Sequence, residues 1–130
     1  MTYRGDLDVE AIHTPSGTHL IADAPVDNQG KGSSFSPTDL VATALGSCMA
    51  ITMGIVAKRH QIDLTGMKTS VEKEMTSQPT RRIGSLKVVI TGPAGIKKSD
   101  QELLERAALG CPVHKSLHPE VQIPVTFLWG

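Results

Sequence analysis

The chain has 130 residues, 13 Lys+Arg against 13 Asp+Glu, and is 39% hydrophobic but only 3% aromatic. That length predicts a single domain, 1–130, whose core is built from Val, Ile, Leu, Met and Ala. Electrical neutrality, with aromatics that do not alternate with basic residues, excludes the footprint of a nucleic-acid or anionic-membrane binder.

In chain order, Leu7, Val9 and Ala11 alternate with Asp6, Asp8 and Glu10, so Tyr3 to His13 reads as one half-buried strand. Thr14-Pro15-Ser16-Gly17 is a turn, and His19 to Ala22 is the returning strand of a hairpin. Asp23 to Ser34, rich in Gly, Pro, Asn and Asp, is a loop. Ser36-Pro37-Thr38-Asp39 predicts a helix start, with Ser36 as cap, Pro37 at the first position and the Asp39 carboxylate near the positive helix end. The helix runs to about Gln61, and Leu40, Ala44, Cys48, Ile51 and Ile55 share a stripe expected to be buried or interfacial. Residues 40–57 carry no charge, close to the ~20 apolar residues of a membrane span. Thr43, Gly46, Ser47, Thr52 and Gly54 within the run, with its hydrophobicity diluted by Ala, favour a helix buried on several sides of a soluble protein.

Met67 to Met75 and Arg82 to Thr91 read as strands. Ser99-Asp100-Gln101-Glu102 reads as a capping box for a helix that Gly110 ends. Pro112 opens a short helix to about His118 with Cys111 at its cap, and Val121 to Trp129 is a closing strand. The order β-β-α-β-β-α-α-β, with more hairpins than crossovers, gives an α+β class with a mostly antiparallel sheet.

Chemistry concentrates on two cysteines. Cys111 at a helix N-terminus meets unpaired N–H groups that favour thiolate, and His114 lies one turn on; the alternative is a small cap residue with no reactivity. Cys48, flanked by Gly46 and Ser47, has room beside its sulfur for a ligand or a second chain; the alternative is an inert core cysteine. Cys111-Pro112-Val113-His114 has metal-ligand spacing, with Cys48, His60 and His118 as further donors, but it is a half-site without a matching pair. No metal and no cofactor is expected. A chain that opens on Arg4 and Asp6 without an apolar run, and that has two cysteines, points to a reducing, cytoplasmic setting.

Ser36-Pro37-Thr38-Asp39-Leu40 followed by Ala44-Leu45-Gly46-Ser47-Cys48, together with Cys111-Pro112-Val113-His114-Lys115-Ser116-Leu117, resembles the paired signatures of the OsmC/Ohr family. The resemblance covers nearly the whole chain. It implies an OsmC-like fold, an intertwined homodimer around long central helices, and two sites at the dimer interface. It also implies a thiol peroxidase acting on organic hydroperoxides or hydrogen peroxide. Cys48 would be the peroxidatic nucleophile and Cys111 the resolving thiol. A dithiol reductant, in one branch a lipoylated protein, would reopen the disulfide. The better-known peroxidases pair a Glu with an Arg near the first cysteine. Here Thr38 stands at the Glu position, and no arginine occurs between Gly5 and Arg59. Two further functions therefore stand beside the peroxidase: small-ligand binding and redox sensing.

Overall fold

The computed structural model describes residues 1–130, which form two compact units, Met1–Val41 and Ala42–Gly130. The class is α+β, as expected, and three of the four strand pairings are antiparallel.

The first unit carries β1 (Thr2–Gly5), β2 (Asp8–His13) and β3 (Thr18–Asp23) in one antiparallel sheet of order β1-β2-β3. The expected single strand from Tyr3 to His13 is two strands. Gly5, Asp6 and Leu7 have φ of 90°, 51° and 64°, so the chain reverses through a two-residue turn in the left-handed region. That backbone twist suits the right-handed twist of the flanking strands. Gly5-Asp6 is the turn signal, and the apolar alternation through Leu7 masks it.

The segment after β3 is closed onto a buried carboxylate. Asp23, 2% exposed, accepts Ser33 N–H at 3.2 Å and Ser33 Oγ–H at 2.9 Å on Oδ2. These bonds hold its carboxyl below the usual range. Gly30 is required here, because a Cβ would lie 1.5 Å from the Ala24 carbonyl oxygen.

Helix α1 (Pro37–Arg59) starts as its sequence predicts. Ser36 Oγ accepts Asp39 N–H at 3.1 Å, and Asp39 Oδ2 accepts Ser36 N–H at 3.0 Å, a reciprocal cap built with Asp. The helix continues into the second unit. There its buried residues are Ala42, Leu45, Gly46, Met49, Met53 and Ala57. This face differs from the stripe through Cys48. Ile51 and Ile55, at 63% and 50% exposure, lie on the open side instead. By length and composition alone α1 is apolar enough to cross a membrane.

The second unit contains β4 (Lys68–Thr76), β5 (Arg82–Gly92) and β6 (Val125–Trp129) in a sheet of order β4-β5-β6, with β6 parallel to β5. The closing strand is shorter than Val121 to Trp129. Gln122 makes one bridge to Ser85, and Pro124, which has no N–H to give, stands before the regular ladder. Leu86, Val88 and Ile90 on β5 are fully buried, as are Leu45, Met49 and Met53 on α1 and Leu104 on α2 (Lys98–Leu109). Gly46 allows α1 to approach β4 closely: a Cβ there would meet Val71 Cγ2 at 2.8 Å.

The expected capping box at Ser99 is not formed. Helix α2 begins one residue before Ser99, with Lys97 as its uncapped N-terminal neighbour; Asp100 and Gln101 N–H already bond the Lys97 carbonyl. Ser99 is thus inside the first turn. Gly110 ends α2 as predicted, and α3 (Pro112–Ser116) follows at once. Trp129 anchors β6 onto α2 through its indole N–H, which donates to Glu105 at 2.8 Å.

Candidate functional site

Both predicted site residues belong to the second unit, and the fold brings their sulfurs together. Cys111 is the N-cap of α3, with extended backbone, Pro112 at the first helical position, and Sγ accepting the His114 N–H at 3.3 Å. Val113 N–H also bonds this sulfur, and the Cys48 thiol is a further hydrogen-bond partner. Both cysteines are free thiols, Cys48 half-buried and Cys111 fully buried.

These surroundings act on Cys111 in opposite directions. Burial is the largest effect and pushes its thiol up, because a thiolate there loses its water. The His114 and Val113 N–H groups oppose that by favouring the charged form. The Cys48 thiol adds to the rise, first through its hydrogen bond with the Cys111 sulfur and then through the repulsion that two thiolates would meet there. The pair therefore holds one thiolate more readily than two. The helix-end donors expected at Cys111 are present, and burial, the largest single effect, together with Cys48, acts against them.

Cys48 gets its place from helix periodicity. At about 100° per residue it stands between the buried flank of Leu45 and Met49 and the open flank of Ala44, Ile51 and Ile55. Its sulfur meets the Cys111 cap, and the residue as a whole is half-buried. Thr52 Oγ donates back to the Cys48 carbonyl at 2.7 Å, an i+4 bond inside the helix.

The remaining candidates have other settings. His114 reaches Cys111 through its backbone N–H. His118 Nδ1 accepts Glu120 N–H at 3.1 Å, and His60 lies past the exposed end of α1. No three His, Cys, Asp or Glu side chains gather in a metal-holding group. Arg4 lies in the first unit with Nε 2.6 Å from Asp8 Oδ1 and Nη1 3.9 Å from Glu10 Oε2. An open hollow of about 460 Å³ at the end of α1 is lined by Gly54, Ala57, Lys58, Gln61, Ile62 and Leu64, among others, and by neither cysteine.

Comparison with known proteins places this arrangement. A crystal structure from Psychrobacter arcticus, designated an osmotic stress induced and detoxification response protein, is 45% identical with a TM-score of 0.92, covering 97% of this chain and 91% of that one. An OsmC-like protein of Mycoplasma pneumoniae has the same fold at 13% identity, TM-score 0.73, covering 98% and 99% of the two chains. So does an organic hydroperoxide resistance protein of Elizabethkingia anophelis, at 14% identity, TM-score 0.73 and 99% of each chain. No curated protein matches the chain. The family profile described as OsmC-like protein matches residues 30–126, a span holding the α1 cap, Cys48 and Cys111. The paired cysteines therefore stand on a shared scaffold, and the chain belongs to the OsmC-like protein family.

Proposed function

We propose that the protein is a cysteine-based thiol peroxidase that reduces organic hydroperoxides or hydrogen peroxide. The observation that carries this reading is the half-buried Cys48 thiol hydrogen-bonded to the fully buried Cys111 thiol. The organic hydroperoxide resistance protein of Elizabethkingia anophelis, which shares the fold, supports it.

In the proposed cycle the Cys48 thiolate attacks the terminal oxygen of ROOH. The O–O bond breaks, its electron pair leaves on RO, which takes a proton to become ROH, and Cys48 becomes sulfenic acid. Cys111 sulfur then attacks Cys48 sulfur and hydroxide leaves, protonated to water by the Cys111 proton. The product is a Cys48–Cys111 disulfide. A dithiol reductant supplies two electrons and two protons to restore both thiols. The apolar open face of α1, with Ile51 and Ile55, is covered by a second copy in a homodimer, and the setting is cytoplasmic.

The sequence favours a second reading: Thr38 stands where the better-known peroxidases carry Glu, and no arginine occurs between Gly5 and Arg59, so the thiol pair then serves ligand binding or redox sensing without efficient turnover. Stopped-time assays of cumene hydroperoxide and hydrogen peroxide with excess dithiothreitol decide between them. Many turnovers per chain, abolished in Cys48→Ser, are expected; a single equivalent consumed, or consumption unchanged in Cys48→Ser, rejects the peroxidase.

A further inference from the structure

The spacing Cys111-Pro112-Val113-His114 reads as half of a metal site, and the fold supplies a different second donor from the one that spacing names. His114 reaches the Cys111 sulfur through its backbone N–H, and His118 Nδ1 accepts the Glu120 N–H at 3.1 Å. The side chain set against Cys111 is the Cys48 thiol, hydrogen-bonded to it. No third His, Cys, Asp or Glu side chain joins these two free thiols. The donor set is therefore two sulfurs. That count separates the metals. A structural zinc takes four protein ligands and a catalytic zinc three, so zinc is not matched. Calcium and magnesium take oxygen ligands. Thiolates are soft donors that select Cu(I). A closed-shell monovalent ion has no geometric demand from its d electrons, and two thiolates in a line satisfy it.

We propose that Cys48 and Cys111 of the reduced chain form a linear two-thiolate site for Cu(I). On binding, each sulfur releases its proton to solvent and gives an electron pair to the metal. Two protons leave, one cation enters, and neither copper nor sulfur changes oxidation state. The bound pair carries one net negative charge. Two backbone N–H groups already face that charge: His114 N–H, 3.3 Å from Cys111 Sγ, and Val113 N–H. They are the outer shell that orients a ligand sulfur. Burial opposes a bare thiolate at Cys111, and a cation between the sulfurs relieves that penalty by neutralising one of the two charges. Cys111 has no exposed surface, so one ligand is shielded from water. The proposal stands apart from peroxide reduction. The Cys48–Cys111 disulfide has no thiolate to offer, so copper and the disulfide exclude each other at the same pair.

The test titrates the reduced chain, under nitrogen, into the Cu(I)–bicinchoninate complex and reads copper transfer from the loss of the chelator's visible band. One Cu(I) per chain is expected, and equimolar Zn(II) does not displace it. Loss of an outer-shell partner alone costs a metal site about 10–100-fold in affinity, so Cys48→Ser and Cys111→Ser, losing one of two ligands, should each weaken binding by more than about 100-fold. X-ray absorption at the copper edge of the loaded parent chain needs no variant to fold, and should report two sulfur neighbours with no nitrogen or oxygen. A parent chain that takes no copper from the chelator, one copper shared between two chains, a third neighbour at the metal, affinity kept in either variant, or zinc held as tightly as copper overturns the proposal. Peroxide turnover, present or absent, leaves each of these outcomes unchanged, so the two readings fail separately.

Discussion

Replacing Cys111 separates its structural role from its chemical one. In Cys111→Ala two contributions disappear. The first is the cap, in which Sγ accepts the His114 N–H at 3.3 Å. Sulfur is a weak acceptor, so this lies at the low end of cap energies, about 0.5 kcal/mol. The second is packing: the side chain is 0% exposed, and removing its sulfur leaves a methyl-sized void costing ~1 kcal/mol. The expected loss is about 1.5 kcal/mol, or a melting shift of about 6 °C for a chain of this size. Cys111→Ser keeps a capping oxygen and most of the volume, so its loss is smaller, about 0.5 kcal/mol. Urea unfolding under reducing conditions at one protein concentration measures both, while neither variant forms the Cys48–Cys111 disulfide after peroxide. An alanine variant as stable as the parent refutes the assignment of Cys111 as a packed helix cap, whatever its effect on chemistry.

Two further outcomes follow from the exposed face of α1 and from Asp23. Light scattering is expected to give a dimer for the parent chain. Ile51→Asp with Ile55→Asp removes several kcal/mol of apolar burial per dimer, enough to weaken association by more than about 100-fold; a monomeric parent, or a variant that stays dimeric, rejects the second copy on this face. Asp23, whose carboxyl Ser33 holds below the usual range, gives up its proton more readily folded than unfolded. Its stabilising contribution is complete above the unfolded value near 3.9 and is lost as pH falls through the lower folded value. Thermal melts from pH 5 downward should therefore fall less steeply in Asp23→Asn, with a residual slope from Asp8 and Asp63, which are lowered too, by Arg4 and by Thr65. An unchanged slope rejects the Asp23 clamp.

What the sequence conveys here depends on the range of the interactions involved. Local chemistry is legible: the reciprocal Ser36–Asp39 cap, the Gly110 stop and the Cys111 cap with Pro112 all form as their residues predict. The turn at Asp6-Leu7 is hidden because Leu7, a poor residue for φ of 64°, continues an apolar alternation that reads as a strand. Helix α1 is ambiguous for a deeper reason. It is apolar on nearly every side, so no polar face marks which stripe packs inward. Only the sheet of the second unit selects Leu45, Met49 and Met53, aided by the close approach at Gly46. That selection rotates Cys48 out of the core to its margin. This helix instead holds Cys48 half-buried, its thiol hydrogen-bonded to the fully buried Cys111. The feature that makes the packing of α1 illegible in the sequence is thus the one that allows a half-buried thiol at the centre of an apolar helix, and the asymmetry between the two sulfurs follows from it.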